Sequence, residues 1–163
     1  MISINVSRLL QEPWGSLRKF DLDEGPLQLG DDLKVDFLRG TLRLMHTNEG
    51  ILAQGEFTTQ VQQECVRCLE PFEYQLSVRL EERFLPGNTA ALDEDAFPIG
   101  NDNTVDLAEP LRENILLALP MRSICRPDCL GMCSQCGQNL NIGQCDCQEE
   151  GIDPRLAILK QLL

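Results

Sequence analysis

Residues 33–80 read LKVDFLRGTLRLMHTNEGILAQGEFTTQVQQECVRCLEPFEYQLSVRL, and the spacing of apolar residues within them decides the fold class. Leu33, Val35 and Phe37 alternate with polar positions, Gly40 marks a bulge or bend, and Leu42 and Leu44 resume the alternation. After a turn at TNEG, residues 47–50, the side chains of Ile51, Ala53, Gly55, Phe57, Thr59 and Val61 fall on one face. The next turn is CVRC itself, and Phe72, Tyr74, Leu76, Val78 and Leu80 follow with the same period. Successive side chains on a strand point to opposite faces, so a period of two broken by short turns predicts an antiparallel meander with one buried face. Strands of this length twist and can curl toward a partial barrel.

Outward from this stretch the pattern changes. Upstream, a short strand in ISINVS and a turn at EGPLQLGDD are the legible features. Downstream, residues 86–104 carry LDED and GNDN and read as an acidic, solvated loop. Residues 106–119 then predict the main helix. Asp106 and Glu109 have the spacing of a capping box, Pro110 is tolerated in a first turn, and Leu107, Leu111, Ile115, Ala118 and Leu119 make an apolar stripe that Pro120 ends. The chain closes on DPRLAILKQLL, where Asp153 and Pro154 start a short terminal helix with Leu156, Leu159 and Leu163 facing inward. The fold class is therefore α+β. Residues 1–124 form a β-rich part, and residues 125–163 form a cysteine-rich segment with its helix, packed on the same domain.

Eight cysteines in 163 residues set the chemistry. Six crowd into CRPDCLGMCSQCGQNLNIGQCDC, residues 125–147, and the other two flank Val66 and Arg67. The N-terminus shows no basic start followed by an apolar signal core, and no apolar run has the length of a membrane span, so a cytoplasmic, reducing setting is expected. There, clustered cysteines favour metal over disulfides. CSQCG places Cys133 and Cys136 around a tight turn with Gly137 just beyond, as in a zinc knuckle, and CDC returns Cys145 and Cys147 on the same side of an extended segment. Four soft sulfur ligands leave no open position for a reacting water, which makes the expected zinc structural. Cys65, Cys68, Cys125 and Cys129 can form a second site, giving one or two ions in all. A competing set draws on Cys65, Cys68, Cys133 and Cys136. A dithiol redox switch or oxidoreductase, and an iron–sulfur cluster, are the rival uses of the same thiols.

Other chemistry is sparse. His46 follows Leu42 and Leu44 on one strand face and reads as a satisfied histidine; no catalytic triad can be built around it, and no glycine-rich phosphate loop is present. Trp14 and Phe20 read as core. Arg67, between the first two cysteines, reads first as charge compensation beside a thiolate centre. Its alternative role, with Arg122 and Arg126, is a small basic spot for RNA phosphate or a partner. A net charge of −12 sets the whole chain against nucleic acid and in favour of a basic protein.

ECVRCLEPFEYQL, the acidic stretch after it, LRENILLALPMRSICRPDCLGMCSQCGQNLNIGQCDC and the terminal DPRLAILKQLL together resemble the YceD family, from about residue 61 to the end. The resemblance implies a non-enzymatic accessory role in the accumulation of large-subunit (23S) ribosomal RNA and in ribosome assembly. It also implies large-subunit components as partners, a basic ribosomal protein or the RNA itself, with no membrane and no small-molecule substrate. No catalytic residue carries over. Cys65, Arg67, Cys68 and the six later cysteines are the positions that match.

Overall fold

The computed structural model describes residues 2–90, 93 and 95–147. The chain forms two compact units, one of residues 1–63 and 72–123 and the other of residues 64–71 and 124–163. In chain order the elements are β1 (Ser3–Asn5), a 3-10 turn (Leu9–Gln11), β2 (Leu17–Glu24), β3 (Leu27–Leu29), β4 (Leu33–His46), β5 (Ile51–Glu64), β6 (Pro71–Pro86), α1 (Gly87–Ala90), β7 (Ala96–Ile99), β8 (Thr104–Asp106) and α2 (Ala108–Ala118).

The first unit is built on a six-stranded sheet in the order β2-β4-β5-β6-β7, with β3 also on β4. β2, β3 and β5 each run antiparallel to β4. Only the residues between Glu64 and Pro71 join β5 to β6, a connection short enough to force an antiparallel return. β7 runs parallel to β6, pairing Phe84 with Phe97, so the sheet is mixed. Among the described residues it stays open at β2 and β7, and no barrel closes. The expected meander is thus the centre of a larger mixed sheet that does not close on itself among the described residues. β1 and β8 form a separate two-stranded pair.

The alternation read from the sequence holds along β5, where Ile51, Ala53, Phe57, Thr59 and Val61 are all buried. In β4 the face switches earlier than expected. The register slips between Val35 and Phe37, so Leu38 is buried and Phe37 lies on the other side. Gly40 is not the bulge; it stands opposite Phe57 in regular pairing. A Cβ at Gly40 would sit 2.1 Å from the Glu56 carbonyl oxygen and 2.7 Å from the Phe57 ring. Gly55 leaves room for the same ring, since a Cβ there would meet it at 2.7 Å. The two glycines form the slot in which Phe57 is buried to 2% exposure.

α2 forms where it is expected, but its N-cap is Leu107, with no side-chain cap bond, and Ala118 of the expected stripe is exposed. The Asp106 carboxylate accepts the Ala108 N–H at 3.0 Å, and Leu111 and Ile115 pack into the same core as Leu42, Leu44 and Leu80. The segment 86–104, expected as a loop, contains α1 and β7 and opens β8. Four residues with a proline among them, AFPI, carry too little alternation to announce a strand; the stacking of Phe97 on Phe84, with ring centroids 5.7 Å apart, holds them on β6. The terminal helix expected at residues 153–163 lies outside the described residues.

Candidate metal centres

The second unit contains all eight cysteines, because residues 64–71 group with the C-terminal part of the chain. Two turns of the same form shape it. In the first, the Cys65 N–H donates to the Glu70 carbonyl at 3.0 Å and the Leu69 N–H donates to the Cys65 carbonyl at 2.8 Å. In the second, the Cys133 N–H donates to the Gln138 carbonyl at 2.8 Å and the Gly137 N–H to the Cys133 carbonyl at 3.0 Å. The residue after the second cysteine has a left-handed backbone in both, with φ of +57° at Leu69 and +73° at Gly137. Closing the turn in this way brings both sulfurs of each C-x-x-C to one side.

Each turn meets a second cysteine pair. Cys65, Cys68, Cys125 and Cys129 form one quartet and Cys133, Cys136, Cys145 and Cys147 another, with the sulfurs of each lying within 4.8 Å of one another. The competing grouping of Cys65 and Cys68 with Cys133 and Cys136 does not form. All eight thiols are free. In the first quartet the Cys65–Cys129 and Cys68–Cys125 sulfurs are 3.8 Å apart. A disulfide needs about 2.05 Å. Four sulfurs set tetrahedrally about an ion at about 2.3 Å stand about 3.8 Å apart, so the donor set and its spacing fit a single four-coordinate ion. The first quartet is enclosed, with Cys65, Cys68 and Cys129 buried; in the second, Cys136 and Cys147 are exposed.

The surroundings divide the thiols. Burial works against ionisation of Cys65 more than any other influence, but N–H groups at Cys125, Cys68 and Arg67 outweigh it and bring the thiol down to about 6. Burial, reinforced by the Cys65 and Cys129 sulfurs, pushes Cys125 up to about 12. In the second quartet the N–H groups of Cys136 and Gln135 lower Cys133 to about 6, while the Cys136 sulfur and then burial lift Cys147 to about 12. Four thiols this close cannot all ionise unaided. A bound cation is what would let them do so together.

Asn141 is the residue that sequence reasoning passed over. Its Nδ2 donates to the Cys129 sulfur at 3.5 Å, and its Oδ1 accepts the Leu130 N–H and an Arg126 N–H, each at 2.9 Å. The only sequence signal for it is the asparagine-rich composition of QNLN, residues 138–141. Arg67 donates to the Cys129 carbonyl at 2.9 Å, and Arg126 also approaches Asp128 at 3.6 Å. Both guanidinium groups are thus engaged within their own unit. Arg122 is exposed and belongs to the first unit. The His46 Nδ1 lies 2.7 Å from the Glu12 carbonyl, which makes that nitrogen a donor, and His46 joins neither quartet.

An open mixed sheet accompanied by a small unit with two four-cysteine clusters defines a β-rich protein with the donor sets for two metal ions. The family described as large ribosomal RNA subunit accumulation protein YceD matches residues 53–163, which include both quartets, and the chain belongs to that family. An uncharacterized protein of Mycobacterium tuberculosis is 32% identical over 169 residues, covering 99% of this chain and 81% of its own length. A second, from Mycobacterium leprae, is 30% identical over 157 residues, covering 94% of this chain and 70% of its own. The large ribosomal RNA subunit accumulation protein YCED homolog 1, chloroplastic, of Zea mays is 32% identical over 68 residues, which is 39% of this chain and 23% of the maize protein. No solved structure matches. No helix among the described residues is long and apolar enough to cross a membrane.

Proposed function

We propose that the protein is a non-catalytic accessory factor for the accumulation of 23S ribosomal RNA and the assembly of the large subunit. It works in the cytoplasm, and each of its cysteine quartets holds a structural zinc ion. The observation that carries this reading is the family match, which runs through both quartets. Zinc is favoured by all-sulfur donor sets whose sulfurs lie within 4.8 Å of one another, two pairs in the first quartet at 3.8 Å; an iron–sulfur cluster, with several atoms at its centre, would hold its cysteines farther apart. An ion so enclosed supplies cohesion and no reactive position.

The partner is a basic large-subunit protein in preference to bare RNA. A net charge of −12 repels phosphate, and Arg67 and Arg126 each direct an N–H inward, to Cys129 and Asn141. Two measurements test the reading. Elemental analysis of protein purified without added metal should find two zinc ions per chain, and the protein should bind large-subunit proteins while leaving naked 23S RNA unshifted at physiological salt. Metal-free protein with a reversibly oxidised dithiol would overturn the zinc assignment in favour of a redox switch. Tight binding of naked RNA would overturn the choice of partner.

A further inference from the structure

We propose that the tip of the first cysteine turn, Val66 and Leu69, is a docking surface for a protein segment that carries both basic and aliphatic side chains. This rests on the reading of the protein as a partner of a basic ribosomal component, and it names the place and chemistry of that contact.

The two C-x-x-C turns share the same pair of hydrogen bonds, and the second puts glycine where the backbone turns left-handed. The first puts leucine there, at φ +57°. A leucine side chain makes that conformation costly, because its Cβ crowds the backbone where glycine has only hydrogen. Burial would offset the cost, yet Leu69 is 51% exposed and its neighbour Val66 is 50% exposed. Within the free chain, then, Leu69 brings strain and little compensating contact. Strain of this kind at an exposed apolar residue marks a place whose energy is recovered in a complex.

Other exposed apolar side chains belong to the same unit. The Met132 N–H donates to the Arg67 carbonyl at 3.1 Å and the Leu130 N–H to the Asn141 side chain at 2.9 Å. These bonds fasten the backbone bearing Leu130 and Ile142, which are 69% and 78% exposed, to the same small unit. The charge of the unit selects the occupant. Among the described residues of the unit, Glu64, Glu70, Asp128 and Asp146 outnumber Arg67 and Arg126, each of which gives one hydrogen bond within the unit. Aliphatic side chains give nucleic-acid bases no flat ring to stack on, and the carboxylates repel phosphate. A polypeptide with lysine or arginine beside aliphatic residues satisfies both the apolar surface and the charge.

The test uses the full-length, metal-replete protein. Proteins stripped by salt from isolated large subunits are the probe, with a photo-crosslinking residue placed at position 66 and, separately, the variant Leu69→Gly. Crosslinking to a basic large-subunit protein is expected, and Leu69→Gly should weaken that protein's binding at least tenfold while metal content and melting temperature hold or rise. Binding unaffected by Leu69→Gly would overturn the docking surface while leaving the proposed function standing. Crosslinks to a second copy, to residues 148–163 or to ribosomal RNA would overturn the stated occupant. Loss of metal in Leu69→Gly would show that leucine serves the turn itself, and would also overturn the proposal. If no large-subunit protein binds the unsubstituted chain at all, the choice of partner in the proposed function falls too.

Discussion

Withdrawing the metal should dismantle one unit and spare the other. The large apolar core of Leu42, Leu44, Phe57, Leu80, Phe84 and Ile115 lies in the first unit. In the second, the buried apolar side chains among the described residues are those of Cys65, Cys68 and Cys129. At about 25 cal/mol per Å², three small thiol side chains contribute roughly 5 kcal/mol at most. A structural zinc site contributes on the order of 10–16 kcal/mol. With zinc in both quartets as proposed, the ions would decide whether the second unit folds, while the core decides for the first. The assay is hydrogen exchange before and after a strong chelator. Protection should collapse at the amides of Leu69, Met132, Gly137 and Leu140, whose hydrogen bonds exist only within the turns and their junctions, and should persist along β4 and β5. A single cooperative loss of protection over the whole chain would refute this reasoning, as would retention of protection at all four of those amides.

Further outcomes follow from the same geometry. If both quartets hold zinc as proposed, Cys133→Ser should lower the content from two ions per chain to one and leave the thermal transition of the sheet in place, as read by elemental analysis and calorimetry. Gly40→Ala would put a methyl 2.1 Å from the Glu56 carbonyl oxygen, which only a backbone shift can relieve; a loss of about 1–3 kcal/mol is expected from the denaturant midpoint. The Arg112 guanidinium grips Asp32 through two bonds of 2.6 Å and holds its carboxyl below the usual range. A carboxyl depressed by folding adds stability that is full above its unfolded value and disappears as pH falls through its folded value. Asp32→Asn should therefore cost stability at neutral pH and not at the acid end, where the wild-type group is already protonated, as a pH series of melting curves would record.

How much of this was legible depended on how regular the signal was. β5 and β6 alternate cleanly, and α2 has a periodic apolar stripe, so their existence and buried faces could be read directly. β2 was missed because LRKFDLDE lies at an edge, where Phe20 and Leu22 are only partly buried and charge covers the rest. The slip at Asp36 was invisible because a bulge changes which face is buried without changing composition. β7 gave no signal, since a four-residue strand held by a long-range aromatic contact has no local period. For the cysteines, spacing suggested which four could meet. Only the folded chain, with Asn141 between Cys129 and Arg126, reveals how their surroundings are arranged.

The two quartets differ in how much chain they span, and that sets an order of assembly. Cys133 to Cys147 is a short local segment, whereas Cys65 and Cys129 meet across 64 positions of sequence. Closing the longer ring carries the greater entropic cost. During synthesis Cys65 and Cys68 emerge with the β5–β6 hairpin, well before Cys125 and Cys129 exist to join them. The late quartet can complete itself from neighbours, while the early pair must wait for the tail of the chain to return, and a truncation anywhere between them strands half a site on an otherwise finished hairpin.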